Sequence, residues 1–201
     1  MASNSLPPNS LIALEPPLLA ELGQQHKSLI RQHLLALSPS DRRLRFGTPA
    51  SDLAIQRYVD TIDFTRDIVL GLVDEAGRLV GLGHLSLAGP VPELGLSIDR
   101  SARTSGLGSL LLARACGHVR EAGKDQLVMH YLPENTALAR LAARGGMRLD
   151  VVEGEGRALL TLTPLSPDQA AGRPSDDMAH ALELAFRLAG RANAGDDLTS
   201  A

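Results

Sequence analysis

Residues 93–122 read ELGLSIDRSARTSGLGSLLLARACGHVREA, and this stretch organises the chain. Glu93 to Ile98 is a short run bounded upstream by Pro90 and Pro92, the pattern of a strand. From Gly106 the apolar residues Leu107, Leu110, Leu111, Ala115 and Val119 recur at helical spacing until Gly123 and Lys124 stop them. Strand, glycine-bearing loop and helix N-terminus therefore follow one another. Such a junction suits an anion, because the first helical turn has unpaired N–H groups and carries roughly half a positive charge. The same junction also suits an ordinary tight strand-to-helix turn, so the spacing alone leaves both readings open.

Two familiar phosphate loops fit this stretch poorly. A P-loop needs Gly-Lys-Ser/Thr, and Gly106 is followed by Leu107, Gly108 and Ser109. A dinucleotide fingerprint needs a third glycine three residues after the second, where Leu111 stands. What the loop does fit is Arg/Gln-x-x-Gly-x-Gly/Ala, spelled Arg103-Thr104-Ser105-Gly106-Leu107-Gly108. In this it resembles the acetyl-CoA pyrophosphate loop of the GNAT N-acetyltransferase superfamily, a resemblance that runs from about Leu11 to Pro164. A second block supports it. Pro133-Glu134-Asn135, followed by Leu138, Leu141, Gly146 and Met147, is similar to the family's Asn-bearing strand-helix segment, about thirty residues after the first and in the required order. A Ser38-Pro39-x-x-x-Arg43-x-Arg45-Phe46 stretch is similar to one in the acetyltransferase domain of bacterial protein-lysine acetyltransferases.

The resemblance implies an α/β (α+β) GNAT fold: a mixed, mostly antiparallel sheet of six to seven strands flanked by helices, with its central strands splayed. It implies acetyl-CoA as cosubstrate and no metal. The coenzyme-binding positions it points to are Leu96, Ser97 and Ile98 for the pantetheine, Arg103, Thr104, Ser105, Gly106, Leu107, Gly108 and Ser109 for the diphosphate, and Asn135 beside the arm. Glycines at 106 and 108 carry no Cβ to hold a diphosphate off the backbone. Gly95 inside its strand marks a bulge, which in the family splays this strand from the next.

Transfer of an acetyl group to an amine needs a free lone pair, whereas a lysine-type amine of pKa about 10.4 is almost wholly protonated at neutral pH. Glu93, at the start of the strand, is the candidate general base. A backbone N–H near Ile98 would meet the oxyanion. The tyrosine that the family often places seven residues after the asparagine, as acid to the leaving thiolate, is Ala142 here; Tyr131, His84 and His130 are candidates to replace it. Two functions follow. One is an N-acetyltransferase acting on a small amine or a protein lysine; the other, which Ala142 favours, is a catalytically degenerate acetyl-CoA sensor working through a protein partner.

Composition narrows the rest. A chain of 201 residues accommodates one cored domain with extensions. A formal charge of −3 with two tyrosines, three phenylalanines and no tryptophan offers neither a basic field nor a stacking platform, so no nucleic-acid partner is expected. No apolar run approaches a membrane span and the N-terminus lacks a signal-peptide pattern. The lone Cys116, on the helix pattern, reads as a small core residue in a reducing cytoplasm. Six scattered histidines form no metal motif; His26 and His33 could share a helix face at the edge of the core.

Along the chain, residues 1–9 read as a tail and 10–165 as the domain. Ser10–Leu14 is expected as a first strand, with a helix starting at Pro16-Pro17. Ser38–Gly47 is a basic segment that reads as a solvated helix face with Leu44 and Phe46 on the core. A helix over 52–64, a hairpin turning at Glu75-Ala76-Gly77 and a closing hairpin turning at Gly154-Glu155-Gly156 follow. Residues 166–201 read as a linker and an amphipathic helix capped by Ser175, which could pack on the domain or on a second copy in a homodimer.

Overall fold

The computed structural model describes residues 16–103 and 106–163, so the expected strand at 10–14 and the C-terminal helix lie outside the described residues. The elements are β1 (Leu18–Glu21), α1 (Lys27–Ala36), α2 (Pro39–Phe46), α3 (Asp52–Thr61), β2 (Ile68–Val73), β3 (Leu79–Ser86), β4 (Glu93–Ile98), α4 (Leu107–Glu121), β5 (Gln126–Tyr131), α5 (Thr136–Arg144), β6 (Arg148–Val152) and β7 (Glu155–Thr161). Seven strands form one sheet in the order β1-β2-β3-β4-β5-β7-β6. The expected sheet is thus present, mixed and mostly antiparallel.

The first helix begins later than its apolar spacing predicts. Leu18–Glu21 is an edge strand paired antiparallel with β2, and helix starts only after Gly23. Four residues carry too little helix propensity to outweigh a free sheet edge, and prolines without N–H groups are tolerated where a strand begins. Past that point local chemistry sets the boundaries. Ser38 caps α2, its hydroxyl accepting from the Asp41 amide at 3.1 Å, with Pro39 in the first turn and Gly47 at φ +75° behind. Ser51 caps α3 in the same way.

Two cores lie on opposite faces of the sheet. One gathers Leu94, Leu111, Leu112, Ala115, Cys116 and Val119 beneath α4, with Leu96 and Ile98 packed against it. The other gathers Ile30, Leu34, Ile55 and Val59 beneath α1 and α3. Burying a side chain of this size contributes about 1.5–3 kcal/mol, so the two cores clamp the sheet from both sides. The closing hairpin turns one residue earlier than expected, at Glu153-Gly154, both with positive φ. Gly156 belongs instead to β7, where a Cβ would lie 2.5 Å from the Tyr131 ring.

Candidate coenzyme cleft

The strands β4 and β5 run parallel and meet at one residue pair, Glu93 with Val128, reinforced by the Val128 N–H donating to the Pro92 carbonyl at 2.9 Å. Beyond Glu93 they part. On its other side β4 pairs with β3 without interruption from Ser86–Glu93 to Gly81–Ile98, so the expected bulge at Gly95 is absent. The glycine serves a different purpose: a Cβ there would lie 2.5 Å from Nη2 of Arg45, whose guanidinium rests on the strand. The parting therefore comes from the divergence of β4 and β5 themselves.

The unbroken register decides which backbone groups face the gap. Asp99 donates to the Val80 carbonyl at 2.8 Å, and antiparallel pairs alternate between bonded and non-bonded. Asp99, Ser97 and Gly95 thus spend their peptide groups on β3, whereas Leu96 and Ile98 turn theirs toward β5. Of the three predicted pantetheine residues, Leu96 and Ile98 offer amides to the gap, whereas Ser97 is buried and turns its hydroxyl to His33 on the α1 face. The Ile98 carbonyl already accepts from Arg103 Nε at 3.1 Å.

The gap opens into a cleft of about 560 Å³ that also reaches the N-terminus of α4. It is lined by Leu96, Ser97, Ile98, Arg103, Gly106, Leu107, Gly108, Ser109 and Asn135, so the fold unites these predicted residues; Thr104 and Ser105 lie outside the described residues. Gly106 has φ +82°, a conformation that glycine adopts without penalty, and nothing would obstruct a Cβ there. Gly108 is a packing glycine as well: its Cβ would lie 3.2 Å from Leu141 of α5. The amides of Leu107, Gly108 and Ser109 fall in the first turn, where the helix ladder has no carbonyl for them. Asn135 caps α5, its side-chain Oδ1 accepting from the Leu138 amide at 3.1 Å. Glu93 is exposed at the closed end of the gap and does not line the cleft; it stands four residues, about 13 Å, before Ser97 along the strand.

The basic segment at 38–47 supplies what the sequence reading missed. Leu37, Asp41, Leu44 and Arg45 line the cleft, so α2 forms one wall of it and Leu44 faces the cleft. The arginines are engaged. Arg42 donates to the Leu35 and Leu37 carbonyls and pairs with Asp52 at 2.5 Å, Arg43 pairs with Glu134 before α5, and Arg103 donates to Asp41 at 2.7 Å. Burial raises the Asp41 pKa, but the Ser38 hydroxyl and Arg103 outweigh it and hold the carboxyl below its usual range. Arg140 and Arg144 of α5 add two further cations to the lining.

Behind Arg45 runs a polar chain. Its Nη2 donates to the Tyr58 hydroxyl at 2.9 Å, which donates to His84 Nδ1 at 2.6 Å. His84 Nε2 stands 3.2 Å from a carboxylate oxygen of Asp67, and Asp67 also accepts from Ser86 at 3.1 Å. Burial pushes the His84 pKa down against the pull of Asp67, so the ring is a neutral acceptor for Tyr58. Tyr131 is buried against Gly156, His130 is exposed, and Ala142 is fully buried beneath α5, so that position presents nothing to the cleft.

Residues 29–148 match the family model described as an acetyltransferase (GNAT) domain. Among solved structures the chain is similar to the GNAT domain of S. lividans PAT, at 16% identity and TM-score 0.63, over 72% of this chain and 89% of that one. It is similar to spermidine N-acetyltransferase from Vibrio cholerae in complex with CoA and spermine, at 16% identity and TM-score 0.58, over 76% and 96%. A GNAT superfamily phosphinothricin acetyltransferase from Sinorhizobium meliloti in complex with AcCoA matches at 16% identity and TM-score 0.54, over 80% and 94%. At these identities the structural likeness shows the fold alone.

Proposed function

Because the chain belongs to the GNAT acetyltransferase family, we propose that it moves an acetyl group from acetyl-CoA to a primary amine, on a small molecule or a protein lysine, by direct attack of the amine on the thioester. The observation that carries this is the single cleft that joins the β4–β5 gap to the first turn of α4. In this reading the diphosphate rests on the amides of Leu107 to Ser109, with Arg140 and Arg144 near its charge. The pantetheine enters the gap as an added strand, pairing with Leu96 and Ile98.

An N–H of Leu96 or Ile98 meets the oxyanion as the tetrahedral centre forms; donors of this kind are worth roughly 3 kcal/mol in other enzymes. Glu93 takes the proton from the ammonium through a chain of waters, because it stands outside the cleft lining and about 13 Å before Ser97 along the strand. The thiolate leaves without a side-chain acid at position 142, since a thiol of pKa about 8.5 is a fair leaving group. The amine-binding and AcCoA-bound structures among the similar proteins support the reaction class.

The test is thiol release from acetyl-CoA across a panel of amines and lysine peptides, with coenzyme binding measured by calorimetry. Glu93→Gln should lower kcat by roughly 10²- to 10⁴-fold and leave coenzyme affinity unchanged. Binding without turnover, unaltered by Glu93→Gln, would instead support an acetyl-CoA sensor.

A further inference from the structure

Beneath the middle of β4 lies a histidine that amine acetylation does not use. The side chain of His33, on α1, is closed to solvent. Its Nδ1 is 2.8 Å from the Leu79 carbonyl, which only an N–H can satisfy, so the neutral ring carries its lone pair on Nε2. That lone pair faces the Ser97 hydroxyl at 2.9 Å, and the hydroxyl donates to it. Burial keeps the ring below its ordinary value of 6.5, so it is a neutral base. The Asp99 carboxylate stands 3.9 Å from Nδ1, placed to stabilise an imidazolium. A hydroxyl, a base within hydrogen-bond reach and groups that orient that base are the parts of an activated nucleophile. Ser97 also lines the cleft, on the strand between the two residues whose amides turn into the gap.

We propose that Ser97 is such a nucleophile, and that without an amine the chain hydrolyses acetyl-CoA through an acetyl-Ser97 ester. The inference rests on the acetyl-CoA reading of the cleft. In the first half Ser97 Oγ bonds to the acetyl carbon, the C–S bond breaks with its electron pair on sulfur, and the hydroxyl proton passes through His33 Nε2 to the thiolate, giving CoA. In the second half a water oxygen bonds to the acetyl carbon and the C–Oγ bond breaks. The water's proton returns through His33 to Ser97 Oγ, and acetic acid leaves and ionises. Leu96 or Ile98 N–H holds the oxyanion in both halves.

The experiment mixes the protein with acetyl-CoA and no amine, quenches in acid, maps acetylated peptides by mass spectrometry and follows free thiol. One acetyl group is expected on Ser97, with continuing thiol release. Ser97→Ala should remove both, and His33→Gln should slow both by roughly 10²- to 10⁴-fold. If the buried His33→Gln variant fails to fold, Asp99→Asn, at a partly exposed position, should slow release by about tenfold. Calorimetry with CoA accompanies each protein. CoA binding with no acetyl on Ser97, or hydrolysis that Ser97→Ala leaves unchanged, overturns this inference alone; absence of CoA binding overturns the coenzyme reading beneath it.

Discussion

Replacing Gly95 with alanine tests the seat that β4 provides for Arg45. The new Cβ would lie 2.5 Å from Nη2 and 2.6 Å from Cζ and Nη1, against a comfortable separation of about 3.5 Å, so the guanidinium must retreat by about 1 Å. That retreat breaks its 2.9 Å bond to the Tyr58 hydroxyl, a contact of a charged donor worth about 1.5–3 kcal/mol. It also loosens the contacts with the Phe46 and Tyr58 rings, at 5.2 and 5.6 Å, each worth roughly 0.5–1 kcal/mol. The rings can follow in part, which leaves a net cost of about 2–3 kcal/mol and a fall in Tm of roughly 5–10 °C for a chain of this size. In an Arg45→Ala background the obstruction is gone, and alanine in place of a strand glycine should gain about 0.5–1 kcal/mol. Urea unfolding of the four proteins of this cycle measures the coupling, expected near 3 kcal/mol. Costs that add to within about 0.5 kcal/mol would refute the close contact between Arg45 and the strand.

Gly108→Leu drives a side chain between α4 and α5, where a Cβ already meets Leu141 at 3.2 Å; both helices line the cleft, so CoA affinity measured by calorimetry should fall at least about tenfold, and unchanged affinity would contradict the site. His33 and His84 are both held below 6.5, chiefly by burial, so below pH 6.5 the unfolded chain takes up protons that the folded one refuses. Their contribution to stability is therefore complete above that pH and is lost as pH falls toward the folded values, at up to about 1.4 kcal/mol per pH unit for each ring. Urea midpoints between pH 7.5 and 5.5 read this slope, and a flat profile contradicts it. Cys116 is buried, with its thiol pushed above the ordinary value of 9.0 chiefly by burial; it should react with a thiol reagent only as fast as the chain opens, and rapid labelling of the native protein would show otherwise.

What was legible in the chain was what local pattern controls. The run from Glu93 to Ala122 announces strand, loop and helix because apolar period and glycine placement settle them within a few residues. Asn135 declares itself as a helix start for the same reason. The errors fall where a distant partner decides. Leu18–Glu21 is a strand because β2 offers it an edge, which no window around residue 18 contains. Gly95 reads as a bulge from its own neighbourhood, while its reason is an arginine fifty residues earlier. The arginines at 42, 43 and 45 resemble a solvated face, yet their partners sit on the α1 carboxyl end, before α5 and over β4. Ser97 with His33 is a pairing across 64 positions, which spacing cannot show.

The alternation along β4 binds architecture and chemistry to the same parity. Even-numbered residues turn peptide groups outward to a guest and side chains toward α4; odd-numbered residues knit the strand to β3 and present Gly95 and Ser97 to α1 and α2. Sliding the strand by one position would set an apolar side chain over His33 in place of a hydroxyl and drive a side chain into Arg45, both at once. An insertion or deletion anywhere between Glu93 and Ile98 is therefore a change of reading frame for the whole molecule.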